Sequence, residues 1–187
     1  EMFIIENVPG MKKFKVVMEA MTKLPDYYTT TFCPIKSEVW LPQRRNRLII
    51  IGSKKNFPWR EPEPTKAKSL KEVLQEEPQV DSPKALTKRM KGAYRDLPII
   101  SDPDKNDIAP CCVAHYSKDR STRVVVDRRH KLGVRPYSVR EYARLQGVPD
   151  DYVFNCSSNE AYKLIGNGVS VPLGKWLGNE ITRYFAK

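Results

Sequence analysis

Nowhere in the 187 residues is there an apolar run of about 18, the length a membrane-crossing helix needs. The opening Glu1-Met2-Phe3-Ile4-Ile5-Glu6 lacks both the basic flank and the apolar length of a secretory signal, so neither export nor membrane insertion is expected. Cysteine is scarce: Cys33, Cys111, Cys112 and Cys156 show no repeated spacing, which excludes a disulfide framework and fits free thiols in a reducing compartment. Glycine numbers only nine, with no Gly-rich cofactor loop, and no internal repeat is visible. No metal site is expected. Cys111, Cys112, His115 and His130 are the one set to weigh, and adjacent cysteines are awkward ligands for a single tetrahedral ion.

What is present is 40% hydrophobic and 29% charged residues, enough for one substantial domain or one and a half. Basic residues number 33 against 22 acidic, a net +11 that points to a polyanion, nucleic acid first. Residues 53–134 hold 18 basic against 12 acidic residues, more than half of the excess. Because the signs are mixed, a solvated surface is the alternative.

The run Met2-Phe3-Ile4-Ile5, closed by Pro9-Gly10, predicts a buried strand. Phe14, Val17, Met18, Met21 and Leu24 then follow helical spacing over 12–24, and Leu48-Ile49-Ile50-Ile51 predicts a second strand, apolar on both faces as in a helix-covered sheet. Eight of the 15 prolines fall between Pro58 and Pro110, which gives that stretch linker character. Two helices are still expected in it. One is capped by Ser69 with Glu72; the other has Ser82 as cap and Pro83 first, and runs through Leu86, Met90 and Tyr94 towards Leu97. Short strands are expected from Ile108 to Val126, with Cys112-Val113-Ala114 and Arg123-Val124-Val125-Val126 among them. A capping box at Ser138-Val139-Arg140-Glu141 starts a helix that Gly147 stops, and a last helix is expected from about Pro172 to Tyr184.

Three short motifs carry polar groups suited to chemistry. Glu6-Asn7-Val8 ends an apolar strand, where sheets of α/β proteins bind ligands; an isolated turn carboxylate is the plain alternative. Gln43, Arg45 and Arg47 fall on one face of an extended segment and would offer an amide and two guanidiniums to phosphates or carbonyls; a charged strand entry is the other reading. Gly166-Asn167-Gly168, taken alone, reads as a turn.

Their order changes the reading. Glu6-Asn7-Val8-Pro9-Gly10, then Pro42-Gln43-Arg44-Arg45-Asn46-Arg47, a variable basic stretch, the segment from Arg135-Pro136-Tyr137-Ser138-Val139-Arg140-Glu141 to Tyr152, and Gly166-Asn167-Gly168-Val169 together resemble the C-terminal half of the DNA (cytosine-5)-methyltransferases. The resemblance covers 1–52 and 135–187. It implies part of a Rossmann-like, S-adenosyl-L-methionine-dependent α/β sheet, with residues 53–134 as a small mixed α+β target-recognition domain and 135–187 as a supporting helix and return to the catalytic domain. It further implies that Glu6 contacts the flipped cytosine, that Arg45 binds nearby phosphate and Arg47 the cytosine carbonyl, and that Gln43 belongs to the substrate site. By the same resemblance Asn7 and Val8 shape the strand end, Asn167, Gly168 and Val169 contact S-adenosyl-L-methionine, and Arg144 and Gln146 are structural.

In that family the nucleophilic cysteine, in a Pro-Cys-Gln motif, and the Gly-rich cofactor loop both lie upstream of the Glu-Asn-Val motif. Pro110-Cys111-Cys112 is followed by Val113 rather than Gln and falls in the variable stretch. The expectation is therefore a split subunit or second half that acts on duplex DNA together with a complementary N-terminal half carrying the nucleophile. A cytoplasmic, prokaryotic, nucleoid-associated setting of the restriction-modification kind is expected. A non-catalytic DNA-binding or specificity subunit is the alternative.

Overall fold

The computed structural model describes residues 1–94 and 96–186. It is a mixed α/β protein, in keeping with the expected class. Its first sheet holds β1 (Met2–Asn7), β2 (Tyr28–Lys36) and β4 (Asn46–Ser53), with α1 (Lys15–Thr22) between the first two and the two-residue β3 (Gln43–Arg44) before the third. The spatial order is β1-β4-β2, and β4 runs antiparallel to both neighbours. Leu48 to Ile51 in β4 are wholly inaccessible to solvent. Successive side chains of a strand point to opposite faces. Accordingly Leu48 and Ile50 pack with Met11, Met18 and Met21, while Ile49 and Ile51 pack with Phe32, Ile35, Leu173 and Trp176.

The second face is closed by α6 (Val171–Phe185), whose Pro172 occupies the first turn where its missing N–H costs nothing. The proline-rich stretch after β4 is laid across this helix as a strap. Arg60 N donates to Glu180 Oε2 at 2.9 Å, Trp176 Nε1 donates to the Arg60 carbonyl at 3.2 Å, and Trp59 stacks on Tyr184.

The remaining elements are α2 (Leu70–Val73), α3 (Lys84–Met90), β5 (Ile99–Ser101), β6 (Ala109–Pro110), β7 (Arg123–Val126), β8 (Val134–Pro136), α4 (Val139–Leu145) and α5 (Ser158–Asn167). A second sheet runs β5-β7-β8, and β3 pairs in parallel with β6. Tyr116, Tyr137, Tyr142 and Tyr162 lie in one buried cluster, with the first and third rings stacked at 4.6 Å. The capping boxes at Ser69/Glu72 and Ser138/Glu141 form as expected, and Gly147, at φ 77°, ends α4 in the left-handed conformation that glycine adopts without strain.

Several local expectations need correction. The helix foreseen over 12–24 is a 3-10 turn (Pro9–Lys13) followed by the shorter α1, of which Met18 and Met21 reach the core while Phe14 stays exposed. Ser82 does not cap α3: Pro83, with extended ψ, precedes the first helical residue Lys84. That helix stops at Met90; the stretch foreseen beyond Tyr94 crosses Arg95, which lies outside the described residues. Cys112-Val113-Ala114 is no strand, because Cys112 N donates to the Gln43 side chain and a 3-10 turn begins at Ala114. Strands β2, β5 and β8 and helix α5 are additions to the sequence-based expectation.

Candidate functional site

The β1–β4 register pairs Glu6 with Ile49 and Asn7 with Leu48, which brings the end of one strand beside the start of the other. Arg47 Nε therefore lies 2.6 Å from Glu6 Oε1, with the arginine side chain largely buried and the carboxylate partly open. The contact is an ion pair rather than an aligned hydrogen bond. Glu6 Oε1 is shielded from solvent and accepts no hydrogen bond. Arg47 is oriented by a bond from Nη1 to the Asn46 carbonyl, and Asn7 Oδ1 accepts from Val8 N at 2.8 Å, which fixes the turn. Val8 itself is exposed.

Gln43 and Arg45 do not share an open face with Arg47. Gln43 is fully buried: its Nε2 donates to the Leu145 carbonyl at 2.6 Å and approaches Gln146 Oε1, and its Oε1 accepts from Cys112 N at 2.8 Å. With both ends of the amide occupied, the substrate contact expected of Gln43 has no geometry here. Arg45, 3% exposed, donates from Nη1 to the Cys112 carbonyl at 2.8 Å and from Nη2 to the Gly168 carbonyl at 2.7 Å. No side-chain nitrogen of Arg45 is left on an open surface for phosphate.

The Gly166-Asn167-Gly168 motif is the end of α5, with Gly168 as its C-cap, and not an isolated turn. Gly166 is required there by close approach, since a Cβ would lie 2.2 Å from backbone atoms of Val113 and Ala114. Asn167 and Val169 are exposed, Gly168 is partly so, and Ser170 Oγ just beyond is buried and unpaired. An exposed amide and an apolar side chain next to an orphaned hydroxyl fit an amphiphilic sulfonium nucleoside. Sequence reasoning placed Gln146 as structural, and it bonds the Ile165 carbonyl at 2.8 Å; it did not single out Ser170, whose signal was only its place before a helix-starting Val171-Pro172.

Cys112 is wholly buried, and burial, reinforced by Cys111, pushes its thiol far above the ordinary range. A nucleophilic cysteine needs the opposite shift. An open cleft of about 580 Å³, formed mostly by the 53–134 segment, is lined by Lys71, Arg128, Arg129 and Arg135 and equally by Glu76, Glu77, Asp104 and Asp127, so its charge is mixed. No helix among the described residues is long and apolar enough to cross a membrane.

A family model described as C-5 cytosine-specific DNA methylase matches residues 1–183. Among curated relatives, the type II methyltransferase M.NgoBI of Neisseria gonorrhoeae is 30% identical over 91% of the chain, and M.HaeII of Haemophilus aegyptius is 28% identical over 91%. The chain spans 57% of the length of each of these two. Among solved structures, the S. pombe Dnmt2 methyltransferase superposes with a TM-score of 0.75 at 18% identity, over 99% of this chain and 68% of that one. The Entamoeba histolytica methyltransferase EhMeth gives 0.74 at 17% identity, over 98% and 63%.

Proposed function

The chain belongs to the C-5 cytosine-specific DNA methylase family, and from that premise we propose that it forms part of an enzyme methylating carbon 5 of a cytosine flipped out of a specific duplex DNA sequence. The observation that carries this reading is the Glu6–Arg47 pair, a carboxylate anchored through Oε1 at 2.6 Å from a guanidinium while the side chain stays partly open. The open part of such a carboxylate can meet a donor, and the amino group and protonated ring nitrogen 3 of cytosine are donors on one edge.

The chemistry explains why that edge matters. Carbon 5 is a weak nucleophile until a thiolate adds at carbon 6, and the negative charge that then develops towards ring nitrogen 3 must be met. Glu6, as the acid, holds a proton at that nitrogen; Arg47 keeps the carboxylate in place and faces the ring carbonyl. A base can reach this pair only outside the helix stack. S-adenosyl-L-methionine supplies the methyl group when bound, and Asn167, Gly168 and Val169 are the residues proposed to hold it.

Cys111, the cysteine that follows Pro110, is succeeded by Cys112 rather than by Gln, Cys112 is wholly buried, and the curated relatives are nearly twice as long, so the thiolate is assigned to a complementary N-terminal part or subunit. Residues 1–52 and 135–187 then form the catalytic part and 53–134 the target-recognition domain, whose basic excess would meet the phosphates. The setting is cytoplasmic, where DNA and methyl donor meet.

The test is transfer of labelled methyl groups to cytosine in duplex DNA, with this chain alone and with the complementary part. Methylation only in the joined sample is expected. Duplex binding without methylation in either sample would leave a DNA-binding specificity subunit instead.

A further inference from the structure

The carbonyl groups that end a helix have no partners inside it and carry the negative end of its dipole. At the end of α5, those of Ile165, Gly166 and Gly168 all receive side-chain donors, and two residues supply them. Arg45 reaches Gly168 O at 2.7 Å and, more distantly, Gly166 O at 3.5 Å; Gln146 reaches Ile165 O at 2.8 Å. The same Arg45 guanidinium holds the Cys112 carbonyl at 2.8 Å and sits 3.5 Å from Cys111 Sγ, both inside the variable segment. Its own carbonyl is fixed by Ser37, which donates both N–H and hydroxyl to it at 3.0 and 2.9 Å.

Among the described residues, all the side-chain partners of Arg45 are carbonyls and a thiol. Burying a cation without a carboxylate is an expensive way to hold a fold together, and an apolar side chain of similar volume commonly serves stability as well or better. What a planar guanidinium adds is fixed geometry between several acceptors at once. Here the acceptors belong to the 112 loop and to the helix end from which Asn167 and Val169 project, and the post between them stands two residues before Arg47.

We propose that Arg45 is a positioning residue that sets the Asn167–Val169 element relative to the Glu6–Arg47 pair and ties both to the Cys111–Cys112 loop of the variable segment. Its assay, though not its geometry, rests on the methyltransferase reading. Arg45→Met keeps volume and loses every donor; Arg45→Lys keeps the charge but reaches fewer carbonyls.

The experiment places both variants in the complete methyltransferase, beside Arg183→Lys as a comparator. Arg183 is likewise tied to Glu180 and to the Pro58 carbonyl, but on α6 where the strap crosses it. Amide hydrogen exchange over 166–170 and 111–114 is followed without ligand, then the KM for S-adenosylmethionine, kcat and duplex affinity. In the Arg45 variants exchange is expected to quicken in both segments together and KM for the methyl donor to rise about tenfold, the scale of a lost bond to a charged group, with duplex affinity within about twofold. Arg183→Lys is expected to leave both quantities unchanged.

The proposal fails if a folded Arg45→Met protein keeps its KM and exchange pattern. It fails equally if Arg183→Lys raises KM in proportion to lost thermal stability, or if neither Arg45 variant folds, since Arg45 would then be structural only. A parent enzyme that does not methylate cytosine would defeat the functional reading, while the exchange data would still decide the role of Arg45.

Discussion

Arg135 grips Glu141 with two parallel bonds, Nη1 to Oε2 at 2.7 Å and Nη2 to Oε1 at 2.8 Å, and both side chains are buried. The same carboxylate accepts from Ser138 N in the capping box and from Gln75 N, so it joins α4, β8 and the segment after α2. Removing one partner of a buried pair leaves an uncompensated charge, at about 3–5 kcal/mol. Glu141→Ala should therefore lower the thermal midpoint by roughly 10 °C or more, measured by calorimetry, and Glu141→Gln by less. A midpoint unchanged in Glu141→Ala would mean that the pair contributes nothing net.

Asp127 should give the fold an acid sensitivity. The Arg129 guanidinium, joined by Arg135, holds its carboxyl well below the ordinary value of 3.8, against the opposing effect of burial. A group whose folded pKa is depressed contributes stability that is complete above its unfolded pKa and is lost as pH falls towards the folded one. Denaturant midpoints should thus hold steady down to about pH 4 and decline below it through this group. In Asp127→Asn the decline should be shallower, from a lower plateau; an unaltered slope would remove Asp127 from the acid response.

Glu6→Gln keeps the shape of the side chain and removes the acid. Turnover of the complete enzyme should drop by about two orders of magnitude, the scale of a lost general acid, with duplex affinity nearly unchanged. Steady-state kinetics beside a binding titration checks this, and turnover within about twofold of the parent would take Glu6 out of the mechanism.

Two glycines should respond in opposite directions to alanine. At Gly166 the added methyl meets backbone, which cannot swing aside, and a loss of about 1–3 kcal/mol or more is expected. At Gly178, exposed inside α6 with open space around it, a gain of about 0.5–1 kcal/mol is expected from helix propensity. Urea unfolding of both variants tests the pair; a loss at Gly178 as large as at Gly166 would contradict the packing argument.

Features encoded within a few residues are legible in the sequence alone. The Ser138/Glu141 box and the Leu48–Ile51 run announce themselves locally, and both stand where expected. β2 is harder to read, because Tyr28-Thr29-Thr30-Thr31 carries little apolar signal on an edge strand. α5 does have a local signal in Ser157 and Glu160, a third capping box ahead of Ala161, Tyr162 and Ile165. The fates of Gln43 and Arg45 have none. Their partners lie more than 60 residues away, and nothing local tells a buried polar side chain from an open one.

The strand at the centre of the first sheet is the last of its three to be synthesised. β2 can pair with β4 across the short segment from Ser37 to Arg45, whereas Met2 must wait for Ser53. Closing a longer loop costs more entropy, by about 0.6 kcal/mol for each doubling, so the β2–β4 hairpin is favoured to form first and β1 to dock on it afterwards. A chain leaving the ribosome would thus carry Glu6 unpaired until Arg47 has emerged and been fixed in its strand. Pulse-labelled hydrogen exchange during refolding should find the β2 and β4 amides protected before those of β1, and simultaneous protection would show that the three strands close in one step.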